Sequence, residues 1–122
     1  MVAPYLPPPK GSIMSLFMPA IVGDYFNAEN HHDSDAVAQC FSADGVVHDE
    51  GHAHAGHAAI KAWKEAGSKQ YGATVSPTSA DMQGARCLVT CGVSGSFPGS
   101  PLALRFAFTL AGDRIETLEI SA

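Results

Sequence analysis

Asp49 ends the run Phe41-Ser42-Ala43-Asp44-Gly45-Val46-Val47-His48-Asp49-Glu50, where a carboxylate arrives on a strand between apolar neighbours. A carboxylate so placed suits a general base that takes a proton from a carbon next to a carbonyl. The plainer reading is a strand-end Asp that hydrogen-bonds backbone or water. Few other ionisable groups in the chain are expected to point inward, so a catalytic reading passes through Asp49. His48, His52, His54 and His57 surround it. With Asp49 and Glu50 they offer imidazole and carboxylate donors that suit zinc, nickel or copper. Their spacing fits neither the usual zinc patterns nor a His-Glu-x-x-His helix. Alternation along a strand puts His48, His52 and His54 opposite Asp49. The histidines are therefore expected at the surface or the mouth of a pocket, with His52 or His54 placed to touch a ligand or Asp49, and no metal and no cofactor are expected.

The elements that must position these groups follow from periodicity. Phe17, Ala20, Ile21, Tyr25 and Ala28 recur at helical spacing and predict a first helix over residues 16–30, with Ser15 as N-cap and Pro19 in its first turn. His31-His32-Asp33-Ser34 supplies the cap of a short helix over residues 35–41. Asp44-Gly45 is expected to turn the chain, after which Val46 to Glu50 alternate with Val47 and Asp49 on one face, until Gly51 interrupts. Ala58 to Ala66 repeat as a third helix with Ile60, Trp63 and Gly67 on one face, fading near Tyr71-Gly72. Four strands follow, over residues 73–82, 85–97, 102–110 and 114–120, separated by Gly84, Phe97-Pro98-Gly99-Ser100-Pro101 and Ala111-Gly112-Asp113. Helices followed by an antiparallel meander give an α+β fold.

In the second of these four strands Cys87, Val89, Cys91 and Val93 share one face, and in the third Leu102, Leu104, Phe106 and Phe108 do. Arg105 points the other way, beside Ala103 and Ala107, whose small size suits a sheet-to-sheet dimer contact. Cys87 and Cys91 lie roughly 13 Å apart at ~3.3 Å per residue, too far to bridge, and are read as small hydrophobes. Glu119 shares the parity of Ile115 and Thr117, which leaves it either at the pocket rim or on the surface.

At 122 residues and 46% hydrophobic content the chain makes one domain. A formal charge of −5, with 7 Lys and Arg in all, excludes a phosphate-tracking surface and so a nucleic-acid partner. Three unpaired cysteines point to a reducing, cytoplasmic setting. Residues 1–14, with Pro4, Pro7, Pro8 and Pro9, are expected to form a flexible tail ahead of a domain over residues 15–122, and they have the form of neither a signal peptide nor a membrane span. Met14-Ser15 is a plausible alternative start.

The stretch from Tyr25 through Trp63 resembles the NTF2-like superfamily, in particular its SnoaL-like and ketosteroid-isomerase-like members. The resemblance rests on Tyr25-Phe26 in the first helix, Ser34-Asp35 opening the second, the run from Phe41 to Asp49, and Gly56-His57-Ala58-Ala59-Ile60. It covers residues 15–121. It implies a cone, a curved antiparallel sheet wrapped around three N-terminal helices, with an apolar pocket between them and a homodimer formed through the outer sheet face. Trp63, Val89, Cys91, Val93, Leu104, Phe106 and Thr117 are then expected to line the pocket. Tyr25 matches the tyrosine of ketosteroid isomerases that hydrogen-bonds the developing enolate, and Asp49 matches their proton-shuttling base. Their second oxyanion donor falls at about Leu104, which has no proton to give; losing one such donor costs ~2.7–4 kcal/mol of transition-state stabilisation. The resemblance implies a protein that binds a small hydrophobic carbonyl compound, as a cofactor-independent isomerase or cyclase with Asp49 as base and Tyr25 as donor, or as a non-catalytic ligand-binding or assembly module. An epoxide hydrolase of the same fold would need an Asp-Arg-Asp set, which an outward Arg105 does not supply.

Overall fold

The computed structural model describes residues 17–122. Expectations for the Pro-rich tail and for Ser15 as a cap lie outside them. The order of elements is α1 (Ala20–Asn30), α2 (Ser34–Gln39), β1 (Phe41–Asp49), β2 (His52–Ala55), α3 (His57–Tyr71), β3 (Thr74–Gln83), β4 (Arg86–Ser94), β5 (Leu102–Ala111) and β6 (Arg114–Ser121). Six strands form one curved, unclosed sheet in the order β2-β1-β6-β5-β4-β3, and with three helices this is the α+β NTF2-like fold. Every neighbouring pair is antiparallel except β1 and β6, which run parallel.

The first helix begins at Ala20 rather than at residue 16. Pro19 sits just ahead of it in extended conformation (ψ 147°) and cannot continue a hydrogen-bonded turn backwards. Asp33 caps α2 by accepting from the Ala36 amide at 3.0 Å. Asp44-Gly45 does not turn the chain: β1 runs straight through these residues, and the β1–β6 register shifts between Phe41 and Val46. Gly45 is needed there, because a Cβ would lie 2.8 Å from that of Phe41. The turn comes later. Glu50 (φ 51°) and Gly51 (φ 77°) form a two-residue loop with both φ positive, the geometry that closes a tight hairpin between twisted strands.

That hairpin adds β2, a strand the sequence pattern does not announce. In its register Asp49 pairs with His52 and Val47 with His54. Directly opposed residues share a face, so His52 and His54 lie on the side of Asp49 and only His48 lies opposite, against the single-strand expectation.

The core is aromatic. Tyr25, Phe26, Phe41 and Phe108 are fully buried. Tyr25 meets Phe26 and Phe108 edge-on, each at 5.3 Å between ring centroids, and Phe26 meets Phe108 at 5.6 Å. Such pairs add about 0.5–1.5 kcal/mol each beyond area burial. The inward face of β4 carries Cys87, Val89, Cys91 and Val93, all buried as the alternation predicts. Arg105 and Ala103 are exposed on the outer face, while their neighbour Ala107 is buried.

Asn30 ties α1 to the sheet: its Nδ2 donates to the Val75 carbonyl and its Oδ1 accepts from the Val75 amide, both at 2.8 Å. Asn30→Ala is expected to cost about 1–3 kcal/mol, because Val75 is buried and both of its backbone groups lose their partner. Urea denaturation measures it; a loss below about 0.5 kcal/mol would show that water replaces the side chain.

Candidate active site

Between α3, the β1–β2 hairpin and the inner face of the sheet lies a cavity of about 570 Å³. This is within the range of small-molecule sites. Leu102, Leu104 and Phe106 of β5, Val75, Val93 and Ile120 of three other strands, and Phe97-Pro98 make its apolar wall. Trp63, Gly67, Gln70 and Tyr71 line it from α3. Asp49, Glu50, His52 and His54 contribute from the hairpin.

Asp49 is half-buried, and its Oδ2 accepts from Trp63 Nε1 at 3.0 Å. Its other oxygen accepts from no described residue. The Trp63 ring also lies 6.1 Å from that of His54, centroid to centroid. One indole thus orients the carboxylate and flanks an imidazole. His52 Nδ1 is 3.0 Å from the Glu50 carbonyl, which steadies the hairpin tip. His57 belongs elsewhere, its Nε2 lying 2.8 Å from the Phe41 carbonyl. Among the described residues no three His, Cys, Asp or Glu side chains converge as a metal site would require.

Of the seven residues expected in the pocket wall, Trp63, Val93, Leu104 and Phe106 line it. Val89 and Cys91 are fully buried in the core and lie outside the lining. Thr117 lies outside it as well, because a register shift between Thr109 and Leu110 breaks the parity of β6 and turns Ile115, Leu118 and Ile120 inward. Glu119 is exposed and pairs with Arg86 at 3.6 Å.

Tyr25, expected to donate into the pocket, does not line it. Its hydroxyl donates to Glu29 Oε1 at 2.7 Å. Burial, the Glu29 charge and that hydrogen bond hold its proton well above the usual tyrosine range. Glu29 Oε2 in turn accepts from Lys64 Nζ. Glu29 and Lys64 are the two buried charged residues among those described, 7% and 5% exposed, and both line the cavity. Nothing in their immediate neighbours marks them as interior, since isolated charges on helices usually face water. The signal was spacing: Glu29 is one turn beyond Tyr25, and Lys64 one turn beyond Ile60, so both continue apolar stripes. The three cysteines are unpaired. Burial pushes Cys91 up to about 12 and Cys40 up to about 11, so neither supplies a thiolate nucleophile near neutrality.

Residues 22–116 match the SnoaL-like domain family. Among solved structures, a Sinorhizobium meliloti protein provisionally named a polyketide cyclase superposes with a TM-score of 0.83 at 41% identity, over 85% of this chain and 95% of that one. A Catenulispora acidiphila protein with a ketosteroid isomerase-like fold, solved in complex with trimethylamine, superposes at 0.78 with 22% identity over 86% of each chain. SalBIII, an epoxide hydrolase/cyclase-like enzyme with a role in pyran ring formation in salinomycin, superposes at 0.70 with 18% identity over 84% of this chain and 87% of that one. At these two lower identities the likeness is one of fold. No curated protein sequence matches the chain.

Proposed function

The chain belongs to the SnoaL-like family of the NTF2-like superfamily, and on that footing we propose that its cavity takes a small hydrophobic molecule bearing a carbonyl group, with Asp49 removing a proton from the carbon beside that carbonyl. The supporting observation is the placement of Asp49. One carboxylate oxygen is fixed by Trp63 while the other has no partner among the described residues, at a cavity whose far wall is apolar. The proton taken leaves an enolate. Returning it to a different carbon completes an isomerisation; attack of the enolate carbon on a second carbonyl of the same molecule closes a ring, and the alkoxide so formed takes the proton back from Asp49. The polyketide cyclase name of the Sinorhizobium meliloti relative favours the second outcome. A wall of Leu104, Phe106 and Ile120 keeps water from competing for the enolate.

A second reading is a binding module without turnover. It is favoured by Tyr25, whose hydroxyl is committed to Glu29, and by Leu104, which offers the cavity no proton. In either reading we propose a homodimer through the outer sheet face, where Ala103 and Arg105 are exposed.

Turnover of a panel of cyclic enones and polyketide-like ketones by the wild type and by Asp49→Asn separates these. The amide keeps the Trp63 hydrogen bond but cannot accept a proton, so turnover is expected to fall by about 10²–10⁴-fold with little change in ketone binding. Equal turnover in both proteins removes Asp49 from the mechanism, and binding without turnover in either leaves the module.

A further inference from the structure

Burial of the Glu29–Lys64 pair is not by itself a source of stability. Ion pairs this deeply buried lose more hydration than their attraction restores, unless further groups satisfy them, and apolar replacements of like volume are commonly tolerated. Both residues line the cavity, so a ligand there meets them. The hydrogen-bond capacities of the two ends differ. Glu29 has one oxygen on the Tyr25 hydroxyl and the other on Lys64, so each already holds a donor. The ammonium has three protons to donate. One goes to Glu29; the next acceptor among the described residues, His32 Nδ1, is 3.5 Å away and lies 3.0 Å from the Ser68 hydroxyl. At least one N–H of a 5% exposed lysine thus has no acceptor among the described residues, at a cavity wall.

We infer that Lys64 is the hydrogen-bond donor for the ligand's carbonyl oxygen, and that Glu29, fixed by Tyr25, holds the ammonium in place for it. The inference rests on the carbonyl reading of the same cavity. Lys64 follows Trp63 in α3, so consecutive residues of one helix present the donor and steady the base. As Asp49 takes the proton, the electron pair of the broken C–H bond moves onto the carbonyl oxygen. An ammonium beside that oxygen stabilises the charge where Leu104 does not. The charges around the cavity also define the ligand. Carboxylates of Glu29, Asp49 and Glu50 outnumber the one ammonium, so a neutral ketone or enone is accepted and a free carboxylic acid is repelled.

The test uses cyclohexenone carrying ¹³C at the carbonyl, the simplest cyclic enone, with infrared difference spectra of the bound probe. Three proteins are compared with the wild type: Lys64→Met, Asp49→Asn, and the triple variant Tyr25→Phe/Glu29→Leu/Lys64→Met. The triple variant replaces the whole buried network by apolar groups and leaves no unpaired charge if Lys64→Met alone fails to fold. The bound carbonyl stretch is expected to move to lower frequency in wild type and in Asp49→Asn, and to return to its value in an apolar solvent in both proteins that lack Lys64. Binding is expected to weaken about 10- to 100-fold on loss of Lys64. A low-frequency carbonyl that survives in the triple variant overturns the role of Lys64 while leaving the cavity reading intact. Failure of the wild type to bind this probe and every larger ketone of the panel overturns both.

Discussion

Lys64→Ala is expected to destabilise the folded protein by about 3–5 kcal/mol, enough to leave a domain of this size barely folded. The loss does not measure the strength of the ion pair. It arises because Glu29, 7% exposed beside Tyr25, loses the cation that answers it. An uncompensated carboxylate inside a protein carries most of its lost hydration as a penalty. The triple apolar variant of the same network removes the carboxylate too, so its stability is expected to stay within about 1 kcal/mol of wild type or to exceed it. Urea denaturation of the two proteins makes the comparison. If Lys64→Ala loses less than about 1 kcal/mol, solvent from the cavity reaches Glu29 freely, and the site is wetter than its burial implies.

Alkaline pH is expected to unfold the protein through its thiols. Cys91 and Cys40 have folded values of about 12 and about 11 against an ordinary 9.0, raised first by burial. Nearby acids add to this, Glu29 for Cys91 and Asp24 for Cys40, while Arg114 partly offsets it for Cys40. Below pH 9 both folded and unfolded chains hold these protons, so the contribution to stability is complete. Above it the unfolded chain gives the protons up and the folded chain does not, so unfolding is favoured as pH rises, until each folded thiol titrates as well. A fully buried thiol removes up to about 1.4 kcal/mol per pH unit within its window; Cys40, nearer to solvent than Cys91, removes less, and Cys87, also raised by burial, adds in the same direction. Tyr25, raised well above its ordinary 10.0, adds in the same direction beyond pH 10. Urea midpoints taken at neutral pH and at steps through this window should fall steadily, and Cys91→Val should make the fall shallower, since it removes the wider of the Cys91 and Cys40 windows and leaves the contributions of Cys40 and Cys87. Level midpoints across the window would mean that the thiols ionise in place without opening the core.

Much of the scaffold was legible because burial is periodic. The inward run Cys87, Val89, Cys91 and Val93, the buried Phe106 and Phe108 two residues apart on β5 and the cap at Asp33 each rest on a local rule that packing does not override. The failures were non-local. Nothing in His52-Ala53-His54-Ala55 marks a strand; it is one because the Glu50-Gly51 loop folds it back onto β1, and that pairing brings two histidines to the face of Asp49. Thr117 turns away because β6 carries one extra residue between Ile115 and Thr117 against β5, an irregularity that its alternation pattern does not reveal. The buried charges were hardest. Glu29 and Lys64 are 35 residues apart, and each on its own looks like a solvated helix side chain. Only their meeting under Tyr25 makes either one interior. The strand pattern around Asp49 marks the carboxylate but not its anchor, because Trp63, a wall residue by helical spacing, reaches it only across the fold.

The parallel pairing of β1 with β6 sets a timetable for the site. Val47 meets Leu118, and β6 sits between β1 and β5 although every other described element precedes it in the chain. Joining segments so distant in sequence loses loop entropy before any contact compensates, which makes this closure a slow event in folding. Until it happens, the hairpin that bears Asp49 and the β3–β4–β5 meander that bears the apolar wall share no strand-to-strand hydrogen bonds. The two halves of the cavity are therefore expected to meet late, so that a chain still folding holds a base without a pocket and a pocket without a base.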